Sequence, residues 1–301
     1  MPKAAGQFAS HLARLGRLQK RWWVFRRAVV SAYKDNCLGT AKGAAYSALL
    51  AFFPVLTSLT AILVQANAAS VSKILSNLVF EVVPPGTEEI VLYNFTARGQ
   101  RPVSLLVVAT LLSIWAASGV MISLIQGFRA AYRIPTGRPF LKERATAILL
   151  VFSAALPVIG ASTLMVLGAR TEKYVLTWTG VMPEGQQWKG WILLVGQLLR
   201  YGVALAAIVL GVSLLYYFGP NHPRRLRNVW PGAIIATCLW WAATAIFSWY
   251  VRNIANYNVL YGSIGAVIAL LVWMYLLSVI ALIGCEYNAE RERLMAEGML
   301  D

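Results

Sequence analysis

Long uninterrupted apolar runs alternate with short polar segments along this chain. Each run matches the roughly 20 residues a helix needs to cross a hydrocarbon core of about 30 Å. The runs are continuous and do not alternate residue by residue, which argues against the two-faced strands of a membrane barrel. A backbone in lipid must satisfy its own hydrogen bonds, so the pattern predicts helices. Six spans are predicted, at 44–66, 103–126, 145–169, 193–217, 231–251 and 262–285. The fourth contains Arg200, a charge inside an apolar stretch.

Two segments outside the spans also have helical spacing. Within 8–34, Phe8, Leu12, Leu15, Leu18, Trp22, Val29 and Tyr33 recur at steps of three, four or seven, with basic residues between them. That predicts a basic amphipathic helix on a membrane surface. Arg14, Arg17, Lys20 and Arg21 would meet lipid headgroups, and Trp22 and Trp23 would anchor at their level. Orientation and docking of the chain is the plainer role for this helix, and headgroup recognition the sharper one. In the connection 67–102, Val71, Ile74, Leu75 and Leu78 keep helical spacing until Pro84-Pro85-Gly86. Two short interfacial helices are predicted there.

The 301 residues are 58% hydrophobic and only 13% charged, with a mean hydropathy of +0.62. A soluble domain carries about 25% charged residues. Net charge is +15. The basic residues lie almost wholly outside the spans, so anionic lipid is the expected partner and nucleic acid is not. Nineteen Lys and Arg flank one side of the six spans and seven the other, with Arg200 set apart. The richer side is predicted to be cytoplasmic, with both termini there. This divides the chain into a basic interfacial segment 1–43, a transmembrane domain 44–285 and a tail 286–301. No short apolar core followed by a cleavage site opens the chain, so no removable signal is predicted.

The chemistry of a catalyst is missing from the pattern. The two histidines, His11 and His222, lie near basic residues. No glycine-rich phosphate loop, zinc motif or paired acid core occurs, and no cofactor or metal is expected. Cys37, Cys238 and Cys285 have no metal or disulfide-framework spacing and read as free structural thiols.

Inside the spans, Gly43, Ser47 and Ala51 form a small-residue ridge that would let a second helix approach closely. Pro54 and Pro157 each remove a helical hydrogen bond. They either shape the bundle or open a wedge for a substrate. Arg200, with Gln197 on the same helical side, either snorkels to the surface or faces a polar cavity. The segment from Asn253 through Asn256, Tyr257, Asn258 and Tyr261 to Ser263 is either a capped helix connection or a polar gate. Tyr46, Ser47, Pro54, Gln197, Arg200, Asn256, Tyr257 and Tyr261 are the candidate substrate pathway. Arg129 and Arg133 at the end of the second span, and Glu286 and Glu290 at the end of the sixth, are each four apart. The helix dipole disfavours those glutamates. A charge cluster is therefore predicted, with Arg129 or Arg133 pairing with Glu286 and Asn288 adding hydrogen bonds beside Glu290.

Four motifs resemble one family. They are Ala44-Ala45-Tyr46-Ser47-Ala48-Leu49-Leu50-Ala51-Phe52-Phe53-Pro54; Tyr132-Arg133-Ile134-Pro135 with Arg138-Pro139-Phe140; Leu215-Tyr216-Tyr217-Phe218-Gly219-Pro220-Asn221 through Val229-Trp230-Pro231-Gly232-Ala233; and Tyr261-Gly262-Ser263-Ile264-Gly265-Ala266-Val267 continuing to Gly284-Cys285-Glu286-Tyr287-Asn288-Ala289-Glu290. In this order and spacing the chain resembles the YihY/BrkB membrane proteins, once mislabelled ribonuclease BN. Gly219 stands where that pattern has a larger residue. The resemblance implies six helices and a bacterial inner-membrane location; with the catalytic groups missing from the sequence, no enzyme activity is expected. It also implies outward movement of lipids or other envelope components, with ties to virulence. A non-transporting scaffold for envelope assembly is the alternative, with a second copy or a periplasmic protein as further partners.

Overall fold

A computed structural model describes residues 17–65, 103–178, 190–222, 225–253 and 263–299. Those residues form seven α-helices: α1 Arg17–Lys34, α2 Cys37–Gln65, α3 Val103–Ala131, α4 Phe140–Trp178, α5 Gly190–Phe218, α6 Leu226–Asn253 and α7 Ser263–Ala296. Helices α2 to α7 are each long and apolar enough to cross a membrane. The predicted interfacial helices of 67–102, and residues 8–16 of the amphipathic segment, lie outside the described residues.

Several helices overrun their predicted spans. α2 begins at Cys37, and α4 starts five residues before its predicted span and ends nine residues after it. The stretch after Cys285, expected as a tail, continues α7 to Ala296 and buries Glu286, Tyr287, Asn288, Ala289, Glu290 and Leu294. Hydropathy marks where apolar residues stop, whereas a helix ends where its backbone finds a cap. The α7 cap is Gly298 in the left-handed region (φ 68°), with Met299 N–H bonding back to Leu294 O at 2.9 Å.

α7 packs against α1, α2, α3 and α6, while α2–α3 and α4–α5 form antiparallel pairs. The small-residue ridge sits at the α2–α3 seam. A Cβ added to Gly43 would lie 3.9 Å from Ser123 Oγ, and one on Gly119 would lie 3.9 Å from Ser47 Cβ. Further along the same seam, Ser58 and Thr110 share a hydroxyl hydrogen bond of 3.0 Å. Across α4–α5, Gly211 makes room for the Pro157 ring, and a Cβ there would lie 3.3 Å from Ser153 O, the carbonyl that the proline leaves without its helical donor. Leu111, Trp115, Leu156, Leu198, Trp241 and Trp249 are among the large apolar side chains left exposed on the outside. Such a surface is expected where lipid replaces water as the solvent.

Both described chain ends, the 132–139 connection and residues 219–222 gather at one end of the bundle. Contacts between Ser31 and Glu290, Arg293 and Ala131, and Arg138 and Gly219 place them together. This is the basic end.

Candidate functional site

Two features stand out, an apolar cavity among the helices and a polar cluster closing the basic end beside it. The cavity has a volume of about 250 Å³. Ala48 of α2, Leu124 of α3, Tyr216 of α5, Trp240 of α6, and Met274 and Ser278 of α7 are among its walls. Its hydroxyls are spent on the backbone. Thr237 donates to Ala233 O at 2.9 Å, Ser278 to Met274 O at 2.8 Å and Tyr216 to Ala281 O at 2.7 Å. The wall therefore offers dispersion contact and little else, which suits hydrocarbon and penalises a headgroup or an ion.

Toward the basic end, two glycines let α6 and α7 touch backbone to backbone. A Cβ on Gly232 would overlap Gly284 O, and one on Gly284 would overlap the Tyr216 hydroxyl. Pro231 interrupts the ladder of α6 here, and Asn288 bonds the α6 backbone on either side of it. Asn288 Oδ1 accepts from Gly232 N–H at 2.8 Å, and its Nδ2 donates to Val229 O at 2.9 Å. Asn288 is fully buried, and both of its polar ends are satisfied.

One turn further, Glu290 is held from two helices. Arg27 Nε of α1 lies 2.8 Å from Oε2, Ser31 Oγ donates to Oε1 at 2.8 Å, and Arg293 binds Oε1 from its own helix. Arg293 also donates to Ala131 O, closing the C-terminus of α3. Val24, Ala28, Tyr287 and Leu294 pack beneath this network, fixing α1 to α7. Glu286 is fully buried and accepts from Cys37 Sγ at 3.6 Å.

The predicted pairing of Arg129 or Arg133 with Glu286 is thus corrected. Arg129 lies 3.6 Å from Glu143, in the first turn of α4. Arg133 is solvent-exposed at the left-handed position that ends α3 (φ 54°). Its N–H bonds to Ala130 O at 2.9 Å, and that of Ile134 to Arg129 O at 3.0 Å. This C-terminal turn carries Arg133 away from the bundle. The cations that reach α7 are Arg27 and Arg293. Sequence reasoning missed them as site residues, with Ser31 and Cys37. The i, i+3 spacing of Glu290 and Arg293 was a readable signal; the docking of α1 on α7 was not.

Arg138 closes α5, donating to Gly219 O and Phe218 O at 2.8 Å each. Burial pushes its pKa down from the ordinary value, and the Glu143 carboxylate opposes that shift. A Cβ on Gly219 would lie 2.6 Å from Leu215 O and 2.7 Å from the Phe128 ring, which accounts for a glycine at this position.

The five predicted pathway residues that the structure describes are not brought together. Tyr46 and Gln197 are exposed, Ser47 sits in the α2–α3 seam and Pro54 lies further along α2. The Arg200 stem packs against Gly168 of α4, which leaves room for it; a Cβ there would lie 2.8 Å from Arg200 Cδ. Asn256, Tyr257 and Tyr261 lie outside the described residues, and none of the other five lines the cavity. Among the predicted headgroup contacts, Arg21 and Trp22 are exposed and Lys20 is half-buried. Trp23 is half-buried, with the Arg27 guanidinium 5.4 Å from its ring centre. Arg14 and the Arg17 side chain lie outside the described residues.

A family model described as virulence factor BrkB matches residues 28–299. A ribonuclease-like protein, YfkH, of Bacillus subtilis is 32% identical over 59% of this chain and 62% of its own length. A UPF0761 membrane protein of Alkalilimnicola ehrlichii is 29% identical over 85% of this chain and 55% of its own length. Another, of Alteromonas mediterranea, is 25% identical over 85% of this chain and 83% of its own. The chain thus spans little more than half the length of the first two relatives. No solved structure matches.

Proposed function

The chain belongs to the virulence factor BrkB family and is a multi-pass membrane protein, and from that premise we propose that it moves a lipid, or another amphipathic envelope component, out of the inner leaflet of the bacterial cytoplasmic membrane. The basic end faces the cytoplasm in this reading, with both chain termini there, in keeping with the excess of Lys and Arg. The observation that carries the reading is the cavity. Ala48, Leu124, Tyr216 and Ala281 lie on the basic-end side of their helices, and with that end cytoplasmic the cavity would open to the inner leaflet. Its volume of about 250 Å³ falls just below the roughly 300–1,000 Å³ of small-molecule sites. It would hold part of an acyl chain, leaving the headgroup outside among basic side chains.

The outer face of α1 supports the same reading. Trp22, Val29, Val30 and Tyr33 are exposed beside Arg21, Arg26 and Lys34. That combination of aromatic anchors and cations suits an anionic leaflet. We do not carry over the ribonuclease in the name of the Bacillus relative.

The test is to quantify lipid that co-purifies with the protein by mass spectrometry, for the unmutated chain and for Ala48→Phe, which fills the cavity. Bound lipid is expected to fall several-fold in the variant. Equal retention removes the cavity from the reading. Full biological function with the cavity filled would favour a non-transporting scaffold.

A further inference from the structure

The junction of α1 and α2 brings a second acid to α7. Asn36 adopts the left-handed conformation (φ 54°), which a short amide side chain tolerates, and turns the chain sharply between the two helices. Asp35 and Cys37, on either side of it, both face Glu286. Cys37 Sγ donates to Glu286 Oε1, and the Asp35 carboxyl lies close enough to Glu286 for the two acids to act on each other. Glu286 Oε2 and Asp35 Oδ2 are both buried without a donor.

Ionised carboxylates only accept hydrogen bonds. Two of them facing each other cannot bond unless one keeps a proton, and like charges at such range resist double ionisation. The surrounding charges do not relieve the conflict. Arg293 of α7 acts on Glu286, but its guanidinium is committed to Glu290 and Ala131 O. Arg27 of α1 is bound to Glu290. Arg129 of α3 turns to Glu143. Lys34, beside Asp35, and Arg227 of α6 are solvent-exposed.

We propose that Asp35 and Glu286 form a proton-binding site, which holds one shared proton and exchanges it with the aqueous side through Asp35. Glu286 is sealed within the bundle, while Asp35 is only half-buried and supplies the way in. One proton provides the donor that both carboxyls lack. The site lies five residues along α7 from Ala281, whose carbonyl receives the Tyr216 hydroxyl at the cavity wall. Proton occupancy therefore bears on how the α1–α2 turn grips the helix that lines the cavity. The site stands on its own geometry, independent of what the cavity carries.

The experiment is infrared spectroscopy of the purified full-length chain in detergent at neutral pH. A protonated-carboxyl band is expected at a pH where exposed acids are ionised, and it should shift on exchange into heavy water. Glu286→Gln should abolish the band, Asp35→Asn should move or abolish it, and Glu297→Gln, at an exposed position, should leave it alone. Heavy-carbon labelling of Asp and Glu carboxyls in the unmutated chain should shift the same band, a readout that needs no variant to fold. Absence of the band in the unmutated protein overturns the proposal. So does a band that keeps its position in Glu286→Gln or Asp35→Asn, or that ignores the label.

Discussion

Two stretches of α7 bury their side chains by opposite means. From Ala269 to Leu282 the helix is apolar, and its one buried hydroxyl, that of Ser278, bonds within its own helix. From Glu286 to Arg293 the helix also buries polar groups, those of Glu286, Asn288 and Glu290 with the part-buried Arg293, and these reach α1, α2, α3 and α6. The first stretch touches its neighbours through non-directional contact and leaves a cavity beside it. The second is pinned by directional bonds with specific partners. A packed apolar seam tolerates separation and re-closure at low cost, whereas separating a buried polar cluster strands charges and amides. On this contrast the basic end is expected to act as a fixed pivot and the cavity region as the part that moves.

The largest way to break this contrast is Glu290→Ala. It strands the part-buried Arg293 and removes the acceptor of Arg27 and Ser31. Breaking a buried pair costs about 3–5 kcal/mol, and the partial exposure of Arg27 brings the expectation toward about 3 kcal/mol. Thermal unfolding in detergent should show a fall of several degrees, and a loss no greater than that of Glu297→Ala would deny the pivot. Gly232→Ala comes next. Its methyl would overlap Gly284 O, and forcing the backbones apart should cost about 1–3 kcal/mol by the same measurement. Arg138→Ala removes two bonds from the end of α5 and should cost about 1 kcal/mol, since these groups are partly solvated.

The smallest change expected is a gain. Arg133→Gly relieves a left-handed conformation that costs a non-glycine residue about 1–2 kcal/mol, offset by about 0.5–1 kcal/mol for glycine's greater freedom when unfolded. A slight rise in melting temperature is expected. Should lipid binding fall at the same time, Arg133 is kept for a headgroup contact and not for stability.

The helical spans were legible because composition and run length alone dictate them in lipid. The small-residue ridge of α2 was legible too, because Gly43, Ser47 and Ala51 recur at steps of four, but not that α3 is the helix packed on it. Glu286 and Glu290 stood out because their placement conflicts with the helix dipole, and Asn288 because it lies between them. Their partners were not legible. Which cation reaches a glutamate depends on where α3 ends and how Arg133 turns the chain, and on α1 folding back over α7 at Asn36. Those are tertiary facts that local periodicity does not contain. The cavity was invisible for a related reason. Its walls are ordinary apolar residues from five helices, and only their shared void distinguishes them.

The measurement that bears most directly on the proposed transport is translocation of a fluorescent anionic phospholipid across proteoliposomes containing the purified chain. The expected result is movement well above that of protein-free vesicles, lost in Ala48→Phe and kept in Ser278→Ala, with both variants folded. Movement equal to that of empty vesicles, or undiminished in Ala48→Phe, would contradict a lipid pathway through this cavity.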